Sequence, residues 1–475
     1  MPPPAKAPIP FPTRAAPTTV SVEGVVMSIA FHRKTLAEME AERPWTEAER
    51  TLLDKAHTGY VILSETRPDA ATDTVEIRAD LIRHITLGGC ETCRVPDKGT
   101  SVQGAFVTGE LDLEGCESPL DLYLSNCRFD TQPMLMDARL GAVLLPGCHL
   151  PGLDAHRLRV TRSVLLNRKF KSDGPIDLKG ARIGQSLACV DGTFDGQGHP
   201  ALNANAITIG ASLSLSKGFT AKGMVDLTRA TIGGQVDCSD GTFDGKGKVA
   251  LNANAITIGA DLFLREGFSA KGTVDLIGAN VGGQVACVGG TFDGQGHPAL
   301  NANAITIGAS LFMRRGFTAK GSVVLVRARI DGNLQCPEAT FERGLNLEGA
   351  TIGGGFFWQD VTAFSGALDL TDTHVGRLED DAESWAGADP LRLNGFRYDR
   401  LGGTLSVSQR LDWLAGKRER EILPVIGKQD DGSWNPAPHR AGSPRPTGPI
   451  STRSPTPSWP RSCATAARRR APRGC

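Results

Sequence analysis

Two cysteines spaced as Cys90-Glu-Thr-Cys93 are the first residues in the sequence that could do redox or metal chemistry. Two thiols at this spacing can form a disulfide or supply half of a zinc site. A redox dithiol normally starts a helix that follows a strand, whereas this pair follows a predicted helix ending near Ile85. No second Cys-x-x-Cys completes a zinc tetrad. We therefore interpret the pair as part of a loop, keep a redox pair as the alternative, and predict neither a metal nor a cofactor.

Four further cysteines recur at a constant step of 49 residues, namely Cys189, Cys238, Cys287 and Cys336. If that step covers two coils of a stacked fold, neighbouring members lie about 9.6 Å apart. A disulfide needs Cα atoms within about 7 Å, so these thiols cannot pair with one another. The alternation around Val236 and Cys238 places both side chains on the inward face. We predict free, buried thiols that react slowly in the folded protein.

Charged and amide residues recur at the same step, which indicates a structural role rather than one unique active site. The sets are Asp177, Asp226 and Asp275; Asp195, Asp244 and Asp293; Lys222, Lys271 and Lys320; Asn203, Asn252 and Asn301; and Arg168, Lys217, Glu266 and Arg315. Carboxylates two coils apart cannot share a calcium ion, and Asp is common in turns. The glycines of residues 192–198 are not followed by a helix, which a dinucleotide fingerprint requires.

An internal repeat positions all these residues. Residues 192–210 recur almost unchanged from Gly241 and again from Gly290. Each 49-residue unit is double, because Ile-Gly pairs such as those at Ile183 and Ile209 are separated by alternating steps of 23 and 26 residues. Short alternating runs between turns predict short, half-buried strands. The period and the absence of helices predict an all-β fold, a parallel β-helix with coils of roughly 22–26 residues, and the regular Leu and Asn pattern of leucine-rich repeats is missing.

Five regions follow from the changes in composition. We predict a Pro-rich flexible N-terminus (1–34), a helical cap (35–103), the parallel β-helix (104–380), a C-terminal end piece (381–428) and a Pro- and Arg-rich tail (429–475). The tail is either a disordered basic segment or the product of a shifted reading frame. Within the cap, Thr46 and Glu49 have the spacing of a capping box, and a second helix is expected over residues 75–85. A helical cap would cover the open edge of the first coil.

Composition excludes several classes of protein. The 475-residue chain carries 52 basic and 52 acidic residues, a balance that argues against a nucleic-acid binder. No apolar stretch is long enough for a transmembrane helix. The N-terminus lacks the pattern of a secretory signal, so we expect a cytoplasmic protein, with a peripheral association with the inner membrane as an alternative.

Several segments have a recognisable pattern, namely Thr46-Glu-Ala-Glu-Arg50, Glu76-Ile-Arg-Ala-Asp80-Leu81, the coils with Ile-Gly-Gly, and the Asn394-Gly-Phe-Arg-Tyr-Asp-Arg400 block followed by Leu411-Asp-Trp-Leu414. Together they resemble a family of bacterial β-helix repeat proteins often named membrane-associated oxidoreductase. The resemblance covers roughly residues 45–418 and implies a β-helix. The family has no agreed catalytic motif, so it assigns no site residue. The coils also resemble those of bactofilins and pentapeptide-repeat proteins in architecture.

These observations favour a non-enzymatic scaffold or protein-interaction solenoid, with a protein partner or self-association through coil ends. Two enzymatic alternatives stay open. One is the oxidoreductase of the family name, and the other is a carbohydrate-active β-helix, which would place unlike carboxylates together on adjacent coils.

Overall fold

The computed structural model of the protein describes residues 33–411. The described residues divide at residue 407: residues 33–407 form one compact unit, and residues 408–411 belong to a second. The predicted Pro-rich N-terminus up to residue 32, the end piece beyond residue 411 and the predicted tail at 429–475 therefore lie outside the described residues. The first unit is a parallel β-solenoid of about 13 turns, as the sequence predicts.

Short helices lie at the N-terminal end of the solenoid. They are the α-helices Leu36–Glu42, Glu47–Lys55 and Ala79–Thr86 and the 3-10 turn Ala56–Thr58. The capping box is confirmed, because the Thr46 hydroxyl accepts the Glu49 N–H and the Glu49 carboxylate accepts the Thr46 N–H. Leu52 in this helix and Ala56 at its C-terminal end are both buried.

The helix expected over residues 75–85 begins later than predicted. Residues Glu76–Arg78 form a strand that pairs in parallel with Phe106–Thr108, and the helix starts at Ala79. The Arg78 N–H donates to the Glu49 carboxylate, which holds this residue in an extended conformation. Pairing with the neighbouring strand thus overrides the local helical pattern, and Ile77 is buried within this strand.

Each regular coil contributes four short strands, and equivalent strands stack into four parallel columns. The first column contains Arg139–Leu140, Arg159–Val160, Arg182–Ile183, Thr208–Ile209, Thr231–Ile232, Thr257–Ile258, Asn280–Val281, Thr306–Ile307, Arg329–Ile330, Thr351–Trp358, His374–Asp380 and Arg397–Leu401. The second contains Tyr60–Ile62, Ser101–Gln103, Asp121–Ser125, Ala142–Leu144, Val164–Leu165, Leu187–Ala188, Leu213–Ser214, Val236–Asp237, Leu262–Phe263, Val285–Ala286, Leu311–Phe312 and Leu334–Gln335.

The other two columns make the opposite side of the coil. The third contains Glu76–Arg78, Phe106–Thr108, Arg128–Phe129, His149–Leu150, Lys171–Ser172, Thr193–Asp195, Thr220–Lys222, Thr242–Asn252, Ser269–Asp275, Thr291–Asp293, Thr318–Ala319, Thr340–Phe341 and Ala363–Phe364. The fourth contains Leu153–Asp154, Ile176–Asp177, Leu202–Asn203, Val225–Asp226, Leu300–Asn301, Val323–Val324, Leu345–Asn346, Gly366–Asp369 and Ala388–Arg392. The two long strands Thr242–Asn252 and Ser269–Asp275 run from the third column into the fourth. A separate hairpin joins Gly89–Cys90 to Cys93–Arg94.

A continuous stack of aromatic rings fills the core. Successive ring centroids are 5.1 to 5.5 Å apart along eight phenylalanines, listed in stacking order as Phe170, Phe194, Phe219, Phe243, Phe268, Phe292, Phe317 and Phe341. Alternate members of this stack are 49 residues apart in the sequence, so two series of phenylalanines interleave: Phe170, Phe219, Phe268 and Phe317 form one, and Phe194, Phe243, Phe292 and Phe341 form the other. Rings at this separation attract one another in addition to the hydrophobic effect of burial.

The parallel ladders extend on both sides of residues 104–380. Tyr60–Ile62 and Glu76–Arg78 pair with the first coil, and Ala388–Arg392 and Arg397–Leu401 add a further coil after residue 380. Residues 388–401, which lie within the predicted end piece (381–428), therefore belong to a coil of the solenoid. In the described part of the chain, no helix is both long and apolar enough to cross a membrane.

Candidate functional site

The candidate redox pair lies at the tip of the hairpin between the helical cap and the solenoid. Cys90 and Cys93 are register partners in its two antiparallel strands. Directly opposite residues in such a pair have Cα atoms about 4.5 to 5.5 Å apart, which suits a disulfide. Gly89 has a φ of +66°, and a Cβ there would lie 2.0 Å from the Cys93 carbonyl oxygen, so the tight turn requires glycine. The structure therefore brings both predicted residues together, and both thiols are free.

The two thiols have opposite environments. Cys90 is exposed and Cys93 is buried. Partial burial acts to raise the pKa of Cys90, but hydrogen bonds from Thr92 and from the Cys93 N–H, together with the charge of Arg33, hold that pKa below its ordinary value. Burial raises the pKa of Cys93, and the neighbouring Cys90 adds to the effect. An exposed thiol that ionises early beside a buried thiol that ionises late is the division expected of a reactive dithiol.

Arg33 ties this hairpin to the third helix. Its guanidinium donates hydrogen bonds to the carbonyl oxygens of His84, at 2.7 Å, and Gly89, at 2.6 Å. His84 is buried, and burial, followed by the charge of Arg33, lowers its pKa. Within residues 33–411, no three His, Cys, Asp or Glu side chains are grouped to hold a metal ion.

The repeated cysteines lie in the core, one on every second coil. The positions between them hold larger apolar residues, so the column reads Leu166, Cys189, Leu215, Cys238, Leu264, Cys287, Met313, Cys336 and Trp358. All four thiols are fully buried, and burial raises the pKa of Cys287 to about 12 and those of the other three further. The inward orientation inferred from the alternation is correct.

The repeated Asp and Asn residues likewise belong to one column. Asp177, Asn203, Asp226, Asn252, Asp275 and Asn301 occupy successive coils of the fourth column. In four of the six, a side-chain oxygen accepts the N–H two residues on, as in Asp177 with Lys179 and Asp226 with Thr228. The Asn203 amide also donates to Asp177 on the preceding coil. These residues stabilise turns and join coils, and the intervening coils supply the partners.

The carboxylates that suggested calcium alternate with lysines. The third column presents Asp195, Lys222, Asp244, Lys271 and Asp293 as register partners on successive coils. The Lys222 ammonium lies 3.4 Å from the Asp195 carboxylate. Sequence reasoning treated these as two separate sets, although the 27-residue offset between Asp195 and Lys222 is close to one coil.

Two carboxylates on adjacent coils line a pocket of about 310 Å³, but both are aspartates at the same column position, whereas a carbohydrate-active enzyme would need unlike carboxylates. Asp154 and Asp177 are register partners there, and His199 also lines the pocket. Both carboxylates are already engaged, because Asp154 bonds with the ring and N–H of His156, and Asp177 accepts from Lys179 and Asn203. Their contacts are those of the turn residues elsewhere in this column.

The repeated charges Arg168, Lys217, Glu266 and Arg315 are turn residues with left-handed backbone, at φ values of 50 to 53°. They have a common position in the coil rather than a common ligand.

Comparison with known proteins places this chain in no group: neither a family model, nor a curated protein, nor a solved structure matches it. The parallel β-solenoid agrees with the architecture that the resemblance implies.

Proposed function

We propose that the protein is a non-enzymatic scaffold that associates through the C-terminal coil of its solenoid. The observation that carries the proposal is an apolar surface at this end. Tyr398 and Leu401 in the last strand of residues 33–411 are 46% and 42% exposed, whereas their register partners one coil earlier, Val375 and Leu378, are 0% and 4% exposed. The same inward positions are therefore buried wherever a further coil covers them.

The strand edge at this end supports the same proposal. All five residues of Arg397–Leu401 are exposed, and within residues 33–411 no strand pairs with the outer edge of this strand. An unpaired edge with apolar neighbours favours the addition of another strand. At the other end of the solenoid, the first coil is joined to the helices through Arg78 and Glu49.

A second copy of this chain is the occupant that fits best. Two identical edges can pair about a two-fold axis, which buries the same patch on both partners and closes the assembly. The helical cap at the opposite end of the solenoid would limit growth beyond this pair. We propose that the scaffold acts in the cytoplasm, and the free, mostly buried cysteines of the described residues are compatible with a reducing compartment.

Sedimentation velocity of the full chain over a range of concentrations tests the proposal. We expect a reversible dimer, and we expect the double variant Tyr398→Ser, Leu401→Ser to weaken dimerisation at least about tenfold, since each apolar side chain buried contributes about 1.5 kcal/mol or more. Ile277→Ser is the matched control, because Ile277 is 39% exposed on an inner coil, and its removal should leave the dimer intact. A wild-type chain that stays monomeric, or a double variant that dimerises like wild type, would contradict the proposal.

The split between the Cys90 and Cys93 environments favours a thiol–disulfide exchange site as a second candidate. The Cys90 thiolate would attack a partner disulfide and release one partner thiolate. Cys93, once deprotonated, would attack the resulting mixed disulfide and release the second thiol. The product is a Cys90–Cys93 disulfide, so the dithiol is oxidised and the partner disulfide is reduced.

Oxidised glutathione is the probe for this candidate. We expect wild type to form the Cys90–Cys93 disulfide, and Cys93→Ser to accumulate a glutathione adduct on Cys90. In a separate native sample that has not met oxidised glutathione, peptide mass spectrometry after iodoacetamide should find Cys90 modified and the buried Cys189 and Cys238 unmodified, because only the thiolate reacts. The candidate is refuted if no disulfide forms, and rapid labelling of Cys189 or Cys238 would contradict their burial.

A further inference from the structure

Three arginines stack on consecutive coils and line a groove of about 790 Å³. Arg139, Arg159 and Arg182 are register partners at the outward position of the first column. Strand spacing in the solenoid places their backbones about 4.8 Å apart. We name these three residues the arginine ladder.

Most of the charge in the arginine ladder is not neutralised. Arg139 faces Glu117 at 3.5 Å, and both side chains are more than half exposed. Arg159 and Arg182 form no ion pair with any residue of the described chain, 33–411. Arg162 also lines the groove, but its guanidinium is paired with Asp121. The groove therefore carries a surplus of positive charge concentrated on Arg159 and Arg182.

The solenoid does not need arginine at this position. The coils that follow carry Thr208, Thr231 and Thr257 there, and these threonines continue the same register. Like charges on neighbouring strands destabilise a sheet. The arginine ladder is thus a local departure from the repeat, with an electrostatic cost that an anionic ligand would remove.

Two glycines, Gly184 and Gly210, also line the groove beside the arginine ladder. A Cβ on Gly184 would lie 2.2 Å from the Thr161 carbonyl oxygen, and one on Gly210 would lie 2.2 Å from the Gly184 carbonyl oxygen. The close stacking of these turns therefore requires glycine.

We propose that the arginine ladder binds a ligand carrying two or more phosphate groups, a property that does not depend on the scaffold role. A carboxylate offers one charge and two oxygens, which match a single guanidinium fork. A phosphate monoester carries about −1.5 to −2 charges and three acceptor oxygens, so one group can accept from two arginines one strand spacing apart. A second phosphate then satisfies the third arginine. The phosphates can belong to a free oligophosphate or to a lipid headgroup.

Inorganic tripolyphosphate and the full-length chain test this proposal by titration calorimetry at low salt. We expect wild type to bind, and the double variant Arg159→Thr, Arg182→Thr to bind at least about tenfold more weakly while melting no lower than wild type, because like-charge repulsion is removed. Arg329→Thr is the matched control. Arg329 occupies the same column position between Thr306 and Thr351, but it pairs with Asp331 at 3.0 Å, so its loss should not change binding.

Two further arms identify the source of the phosphate. Vesicles of phosphatidylcholine containing phosphatidylinositol 4,5-bisphosphate should retain the protein only if a lipid headgroup with several phosphates can enter the groove, and the double variant should then be lost from them. Binding of tripolyphosphate without vesicle binding assigns a free ligand. The proposal is overturned if wild type binds neither probe, if citrate binds as tightly as tripolyphosphate, or if the double variant binds like wild type.

Discussion

At the scale of single residues, the repeat explains most of the side chains that suggested chemistry. Cys238 was placed correctly inside the coil from its alternation with Val236, but its neighbours Leu215 and Leu264 were not recognised. The same happened with Asp195, whose partner Lys222 belongs to the intervening coil. Residues one coil apart contact each other directly, so a pattern followed only at the two-coil step misses every contact partner.

For Cys90 and Cys93, the sequence revealed the two residues but not the surroundings that set their chemistry. Their spacing revealed the pair, but their chemistry depends on Arg33, Thr92 and the hairpin register. Arg33 lies 57 residues before Cys90 in the chain, and no local pattern links the two. The arginine ladder was missed for a related reason, since Arg139, Arg159 and Arg182 precede the regular repeats and have unequal spacing.

Glu49 provides a prediction at this scale, because its carboxylate is buried against Arg78 at 2.7 Å. Burial acts to raise the pKa of Glu49, but hydrogen bonds from Arg78 and from the Thr46 N–H outweigh it and lower that pKa. A lowered folded-state pKa stabilises the protein above the unfolded value of about 4.3, and the stabilisation is lost as pH falls through the folded value. Glu49→Gln should therefore destabilise by about 3–5 kcal/mol at pH 7, since it leaves Arg78 buried without its charge partner.

Thermal melting at pH 7 and at a series of pH values below about 4.3 measures this effect. The difference between wild type and Glu49→Gln should shrink as the pH falls. Glu47→Gln is the control, because Glu47 is exposed in the first turn of the same helix and should change stability little. Equal melting temperatures for the two variants at pH 7 would show that the buried pair contributes nothing.

At the scale of elements, the repeat consists of two kinds of coil. In one kind, a phenylalanine directly precedes the third-column strand and the strand itself holds an alanine, as in Phe219 and Ala221. In the other kind, a glycine precedes the strand and the strand holds the phenylalanine, as in Gly241 and Phe243. A Cβ on Gly241 would lie 2.8 Å from the Phe243 ring, so the small residue makes room for the ring. Large and small residues must alternate from coil to coil to reach close packing.

This packing explains how much of the fold the sequence reveals. Coil length, strand alternation and turn glycines are local, and they predicted the parallel β-helix. The 49-residue period was visible, but its cause is contact between rings 5.1 to 5.5 Å apart on adjacent coils. Near the cap, the strand Glu76–Arg78 was missed because its stability comes from pairing with Phe106–Thr108, about 30 residues away.

At the scale of the whole molecule, stability in a solenoid is approximately a sum of coil terms and interfaces between neighbours. Whole coils can then be removed if the new neighbours match. Two-coil and one-coil deletions preserve strand register equally, because Thr193, Thr220 and Thr242 are successive register partners. They differ only in which residues meet at the new interface. Comparing the two deletions therefore measures how much the alternation of the two kinds of coil contributes to stability.

Deleting residues 192–240 joins Asp191 to Gly241 and should give a folded protein. The deletion removes 49 residues, so Cys189 meets Leu264 as it met Leu215, and Asp177 meets Asn252 as it met Asn203.

Deleting residues 193–219 instead joins Gly192 to Thr220. That single-coil deletion stacks Asp177 on Asp226 and leaves one coil without a phenylalanine, a loss of about 3–5 kcal/mol by comparison with Phe→Ala changes in protein cores. Thermal melting should place the shorter deletion well below the longer one, and small-angle scattering should find the two-coil variant shorter than wild type by about 9.6 Å. Equal stability of the two deletions would mean that the alternation of coils does not matter, and aggregation of both would refute independent coil removal.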